Sequence, residues 1–259
     1  MDTKMKYGKT LQAAALATTL AVTAQAQHPQ TPRVLMLVTS VDHFANGRST
    51  GLWLEEFAVP YVSLTEGGAQ VTVVSPKGGA TPIDPHSAAT AEQSAAWKPA
   101  ALALENTTKV SPALHAADYD ALFIPGGHGP LFDLAVDPQV ASLISEFVHA
   151  GKPIASVCHG PAALLNATQA DGTAFVKGKK LTAFSDTEEN AAGLAALVPF
   201  SVQQRLTSLG AHYSQGPNFA EYAVSDGTLI TGQNPASSHK VAVLLLEAIH
   251  TQAHSATQK

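Results

Sequence analysis

The stretch Ile154-Ala155-Ser156-Val157-Cys158-His159-Gly160-Pro161-Ala162-Ala163-Leu164-Leu165 constrains this chain most. Its first four residues are an apolar run that reads as a buried strand. The run ends at the only cysteine of the sequence. Gly160 permits close backbone approach, and Pro161 suits the first turn of a helix, where its missing N–H costs nothing. Ala162 to Leu165 continues as helix. Cys158 therefore falls at a sharp strand-to-helix turn, the arrangement of a nucleophile elbow. An elbow lifts the side chain above the sheet and aims a helix N-terminus at it. The dipole and the free N–H groups predict a thiolate near neutral pH. The backbone N–H of His159 is placed for a developing oxyanion. The competing reading is a buried structural cysteine.

The rest of the chain alternates apolar runs with helical spacing. Strands are expected at 33–39, 71–75, 121–125 and 180–184, besides 154–157. Helices are expected at 51–66 with a kink at Pro60, at 138–150, at 201–209 and at 235–250. Residues 220–224 and 228–231 flank Asp226-Gly227 and read as an antiparallel hairpin. Residues 76–112 read as an excursion with little regular structure. This order predicts an α/β fold: a doubly wound, mostly parallel sheet with helices on both faces, a flavodoxin-like sandwich with one small hairpin. Hydrophobic residues make up 45% of the 259, enough to fill such a core.

Residues 1–26 stand apart. Lys4, Lys6 and Lys9 precede an apolar run at 11–22, and Ala24-Gln25-Ala26 offers a small-residue cleavage site. The pattern predicts a secretory signal peptide over 1–26, a single domain over 27–259, and a periplasmic or secreted protein off the membrane after cleavage. A lone cysteine in an exported chain forms no internal disulfide, so it is a free reactive thiol or an intermolecular one. With 14% charged residues and a net charge of −5 there is no basic patch to suggest nucleic acid.

Ligands of open parallel sheets bind at the C-terminal strand ends. Gly126-Gly127-His128-Gly129 follows one such end and offers bare N–H groups; Gly126, Gly127 and His128 are candidate substrate contacts, and with His159 they make a two-donor oxyanion hole. A plain tight turn is the alternative. Glu56 lies among apolar neighbours. Facing a thiol it has a raised pKa and exchanges protons. Glu55 and Glu56 point about 100° apart, so only one faces the core, and spacing alone leaves a solvated pair open. Asp186, Glu188 or Glu189 could orient His159, or Asp186 could simply cap a helix. His86, His128 and His239 lack metal-ligand spacing, so no metal is expected.

Several stretches, taken in order, resemble the ThiJ/PfpI superfamily: Thr50-Gly51-Leu52-Trp53-Leu54-Glu55-Glu56 with Pro60-Tyr61, Ser75-Pro76 through Ile83-Asp84-Pro85-His86-Ser87, and Pro125-Gly126-Gly127-His128-Gly129. Val157-Cys158-His159-Gly160-Pro161, Thr182-Ala183-Phe184-Ser185-Asp186 with Glu188-Glu189, and Asp226-Gly227 with Thr231-Gly232-Gln233-Asn234-Pro235-Ala236-Ser237-Ser238 complete the match. Within that superfamily the pattern is similar to the Hsp31-like branch of glutathione-independent glyoxalases, also described as stress chaperones. The resemblance implies the class I glutamine amidotransferase-like fold and a homodimer. It implies Cys158 as nucleophile, His159 beside it, and Glu56 as the acid next to the thiol, chosen over Glu55 by its distance from Gly51 and Pro60. Glu189 becomes the partner of His159, with Asp186 as rival. The implied reaction turns methylglyoxal, a small 2-oxoaldehyde, into lactate through a Cys158 hemithioacetal, with no cofactor, metal or glutathione. A holdase chaperone and a Cys-His amidase or peptidase are the alternatives. No late His-x-Glu motif follows, so glutaminase chemistry is not expected, and the expected export departs from the branch's cytosolic members.

Overall fold

The computed structural model describes Met1, Asp2 and residues 31–257. All but two residues of the expected signal peptide thus lie outside the described residues. The chain divides into Met1–Gln30 and Thr31–Lys259, and the strands and helices of the described residues lie in the second unit.

A seven-stranded sheet runs in the order β3-β2-β1-β4-β5-β9-β8. Its members are β1 (Arg33–Leu37), β2 (Gln70–Ser75), β3 (Thr108–Lys109), β4 (Ala121–Ile124), β5 (Ile154–Val157), β8 (Ala223–Asp226) and β9 (Leu229–Gly232). All pairs are parallel except the β8–β9 hairpin. Apolar runs form the centre because a strand covered on both faces needs no polar side. Val34 to Leu37 and every residue of β4 and β5 are buried accordingly. Around the sheet, α1 (Leu54–Glu66) packs on α7 (Ser238–Thr257), which also meets β5 and β9. Helix α4 (Pro138–His149) packs on a 3₁₀ turn at Gly160–Asn166, which also touches α6 (Val202–Ser208). No helix among the described residues is long and apolar enough to cross a membrane.

The fold places the site through register. Ile124 of β4 pairs with Ser156 of β5. The Gly126-Gly127 turn and Cys158 therefore leave adjacent strands side by side. β1 pairs with both β2 and β4, so this end of the sheet is where the strand order reverses and a crevice opens.

Four sequence expectations change. Residues 51–53 are extended rather than helical: Leu52 N–H donates to Pro82 O at 2.8 Å, and Asp84 N–H donates to Leu52 O at 2.9 Å. Helix α1 therefore starts at Leu54, and Pro60 sits within it. The 76–112 excursion holds α2 (Ala91–Ala96), α3 (Lys98–Ala103) and the edge strand β3. The Thr90–Gln93 capping box starts α2, a T-x-x-Q signal visible in the sequence. The expected strand at 180–184 shrinks to β6 (Lys180–Leu181), paired with β7 (His212–Tyr213) in a separate sheet. Its neighbouring backbone is tied to the hairpin by side chains instead of a ladder: Lys180 N–H donates to Asp226 at 2.7 Å and Thr182 N–H to Thr231 Oγ1 at 2.9 Å. The helix expected after Cys158 is the 3₁₀ turn Gly160–Asn166.

Candidate active site

Cys158 leaves β5 at φ +60°, a left-handed conformation that residues with a Cβ rarely adopt. The turn is pinned from both sides. Cys158 N–H donates to Gly232 O at 2.9 Å, and Phe184 N–H donates to Cys158 O at 2.9 Å. A Cβ on Gly160 would run into the Ile124 carbonyl oxygen, so only glycine lets the chain pass. The elbow is present. Its expected effect on the thiol is not. The element that follows is a seven-residue 3₁₀ turn, whose dipole is weak beside that of a full helix. Cys158 is only 4% exposed. Burial, then the negative charge of Glu56, pushes its thiol up, while the Gly127 N–H pulls the other way. The resting group is a thiol, and the expected thiolate is corrected.

Glu56 is the acid that faces inward: it is fully buried, whereas Glu55 is half-buried. Its Oε2 accepts the Gly126 N–H at 2.9 Å, and its Oε1 has no hydrogen-bond partner among the described residues. Burial raises the carboxyl to about 8, against the pull of the Cys158 thiol and the Gly126 N–H. A carboxyl in that range both gives and takes a proton near neutrality. The front of α1 is held by the 82–87 segment: Leu54 N–H donates to Ser87 Oγ at 2.9 Å, and Thr50 Oγ1 to Asp84 Oδ2 at 2.9 Å. Asp84 and Ser87 thus set the position of Glu56, a role no local pattern revealed.

The raised carboxyl makes stability depend on pH with a definite sign. The unfolded chain gives up the Glu56 proton near the ordinary 4.5, while the folded protein keeps it to about 8. Between those values the unfolded state binds fewer protons, so wild-type stability falls as pH rises. Glu56→Gln removes this loss, which amounts to on the order of 4 kcal/mol by pH 8. Denaturant unfolding of both proteins at pH 5 and pH 8 checks it: the gap between them should shift in favour of the variant at the higher pH, and a constant gap contradicts it.

On the other side of the thiol, His159 Nδ1 lies 3.3 Å from Cys158 Sγ. Its Nε2 lies 2.7 Å from Glu189 Oε2, and His128 Nε2 lies 2.9 Å from Glu189 Oε1. One carboxylate thus carries two imidazoles. Burial would raise Glu189, but the hydrogen bonds from His128 and His159 outweigh it and hold the group at about 2. Burial, then His128, lowers His159 to about 4. His159 is therefore neutral at pH 7, with Nε2–H on Glu189 and the Nδ1 lone pair facing the thiol. Asp186 points elsewhere: Gln204 Nε2 donates to it at 2.7 Å, and Ser201 Oγ also bonds to it. The cap of α5 (Asp186–Ala191) is Ser185, in a capping box with Glu188, and not Asp186. Spacing gave no sign of the His128–Glu189 contact, which joins residues 61 apart. Among the described residues, His128, His159 and Glu189 are the group that could hold a metal, with ligand atoms within 4.8 Å. Both Nε2 atoms and both carboxylate oxygens are already engaged with one another.

The glycine turn completes the site. A Cβ on Gly127 would run into the Gly51 carbonyl oxygen, and its φ is +80°. Gly127 N–H favours the ionised form of the Cys158 sulfur. His159 N–H donates to no acceptor among the described residues. A cavity of about 260 Å³ opens here, lined by Cys158, Glu56, His128 and His159, by Phe44, Trp53, Phe184, Leu194 and Phe219, and by Arg48, Ser49, Asp84 and His86.

Known proteins share this architecture. The chain is 30% identical over 233 residues to glutathione-independent glyoxalase HSP31 of Saccharomyces cerevisiae, covering 84% of this chain and 98% of the yeast protein. Among solved structures, glyoxalase III of Candida albicans superposes with a TM-score of 0.76 at 28% identity, over 84% of this chain and 97% of that one. Rapid Encystment Protein 24 KDa of Francisella tularensis superposes with a TM-score of 0.79 at 33% identity, over 84% and 99%. The DJ-1/PfpI family model matches residues 50–248, which include the elbow, the glycine turn and all the acids described above. The chain belongs to the DJ-1/PfpI family, the grouping its ThiJ/PfpI motifs indicated.

Proposed function

We propose that this protein is a cofactor-independent glyoxalase of the III type, a lyase (D-lactate dehydratase) that converts methylglyoxal to lactate in carbonyl detoxification. The observation that carries the reading is the single thiol set between two proton carriers, neutral His159 at 3.3 Å and the buried Glu56 carboxyl at about 8. The named activities of the yeast and Candida relatives support it.

The chemistry balances with water as the one co-reactant. Cys158 gives its proton to His159 Nδ1 and its sulfur attacks the aldehyde carbon. The N–H groups of Gly127 and His159 steady the oxyanion, which then takes the proton from His159. Ionised Glu56 removes the C1 proton while the C2 oxygen takes up the proton of the C1 hydroxyl by way of His159, and Glu56 then returns its proton at C2, which leaves a carbonyl at C1. The product is a thioester of a 2-hydroxy acid, which water hydrolyses to lactate and free thiol. Glutathione has no part because its thiol is replaced by Cys158. His128 holds Glu189, and Glu189 holds His159, in the tautomer this sequence of steps requires.

The test is to supply methylglyoxal to the purified protein without glutathione and to measure dicarbonyl loss and lactate formation together. Equal amounts of both, absent in Cys158→Ala, are expected. Dicarbonyl loss without lactate, or turnover of amides alone, would overturn the reading in favour of scavenging or hydrolysis. The basic, apolar and small-residue pattern of residues 4–26 supports export to the periplasm or beyond. Protein from the native cell should begin at Gln27 by N-terminal mass spectrometry, and an intact Met1 on the soluble protein contradicts it.

A further inference from the structure

The cavity is larger than its proposed substrate. Methylglyoxal has five non-hydrogen atoms. Where one water-sized group needs about 10–15 Å³ of such space, it takes up well under half of the 260 Å³ available. The cavity's lining is rich in aromatic side chains, with Arg48, Ser49, Asp84 and His86 as the polar residues away from the thiol. The Phe184 ring lies 4.7 Å from the His159 ring, and the Phe219 ring lies 6.3 Å from Phe184, so an aromatic row runs from the reacting sulfur's neighbour to a residue that is exposed. Phe44 and Trp53 belong to the same cavity.

Phe219 is held in place at some cost. Its φ is +57°, and besides Cys158 it is the only described residue other than glycine with a left-handed backbone. Its ring is 52% exposed. A strained backbone that leaves a phenyl ring open to a cavity has no packing reason of its own. The conformation is fixed by Glu188, fully buried, whose Oε1 accepts Phe219 N–H at 2.7 Å and Asn234 Nδ2 at 2.8 Å. Oε2 of the same carboxyl accepts Ser185 Oγ at 2.8 Å. Glu188 therefore ties the Phe219 loop to α5, the helix that carries Glu189.

From these observations we infer that the outer cavity is an apolar subsite for the substituent of a bulky 2-oxoaldehyde, aryl or branched alkyl, with Phe219 as its specificity-determining wall. The inference rests on the glyoxalase reading for its chemistry. An aryl oxoaldehyde such as phenylglyoxal, with twice the non-hydrogen atoms of methylglyoxal, reaches into that space, with its aldehyde at Cys158 and its ring among Phe184, Phe44 and Phe219. Glu188 is a positioning residue for that wall.

The experiment compares kcat/KM for phenylglyoxal and methylglyoxal in wild type, Phe219→Ala and Phe219→Tyr. Intrinsic differences between the two aldehydes cancel when the ratio is compared between proteins. Wild type should favour phenylglyoxal at least tenfold, Phe219→Ala should lose about tenfold of that ratio, and Phe219→Tyr should restore it. A wild-type ratio near one, or a ratio untouched in Phe219→Ala, overturns the subsite while leaving the glyoxalase reading intact. A second readout needs no turnover: protection of Cys158 from iodoacetamide by mandelate and by lactate, the corresponding 2-hydroxy acids. Mandelate should protect wild type at a tenfold lower concentration, and Phe219→Ala should erase the difference. If neither aldehyde is consumed but mandelate is preferred, the glyoxalase reading fails and the subsite stands. Equal protection by the two acids rejects the subsite.

Discussion

Glu56→Gln is expected to lose dicarbonyl turnover by about 10² to 10⁴, the usual reach of a general acid–base group, while its thiol alkylates faster than wild type. The two effects move in opposite directions for one reason. Gln still accepts the Gly126 N–H that Glu56 Oε2 accepts at 2.9 Å, and it adds no charge to a fully buried site. It cannot carry the proton from C1 to C2. It also cannot become the anion that, after burial, holds the Cys158 thiol up, so the thiol ionises more easily. Iodoacetamide labelling above pH 8, where wild-type Glu56 is ionised, and lactate formation read the two effects separately. Glu55→Gln supplies the control: the residue is adjacent but half-buried, turned about 100° around α1, and should stay near wild type. Equal losses in both variants, or slower alkylation of Glu56→Gln, would reject the assignment.

The sheet was legible because its strands are covered on both faces and so read as unbroken apolar runs, β1, β4 and β5 above all. The elbow was legible because Cys158, Gly160 and Pro161 announce a turn with no dependence on distant residues. What depends on distant residues was not. The sign of the Cys158 shift comes from burial and from Glu56, which sits on another element. Spacing gave the dipole argument and so the wrong direction. Glu188 could have been read from its S-x-x-E box with Ser185, but its bonds to Phe219 and Asn234 span 31 and 46 residues. The 82–87 segment was quoted as a motif, yet its work is to clamp Thr50 and Leu54, more than 30 residues back. Short elements held by such contacts, β6 and α2 among them, carry too few apolar positions to show a period.

Glu189→Gln is expected to cost about 10² to 10⁴ in kcat/KM, by comparison with an acid-to-amide change behind a catalytic histidine, whereas Asp186→Asn should leave kcat/KM within a few-fold of wild type. The difference follows from what each acid touches. Glu189 accepts from two imidazoles at 2.7 and 2.9 Å and stays ionised, held at about 2. An amide there offers one acceptor oxygen and one NH₂ donor. Whichever ring faces the NH₂ must turn its lone pair toward it. If that ring is His159, its proton moves to Nδ1, the nitrogen 3.3 Å from the sulfur, and the base that should take the thiol proton is already occupied. If it is His128, the proton moves to its Nδ1, which is buried and has no partner. Asp186 instead bonds Ser201 and Gln204 on the outer side of α5, and its loss alters that surface contact alone. Nuclear magnetic resonance of the imidazole nitrogens should therefore report a changed tautomer in Glu189→Gln and an unchanged one in Asp186→Asn. Full activity in Glu189→Gln would mean that His159 needs no anion behind it. The proton would then have to leave Cys158 by way of Glu56 alone.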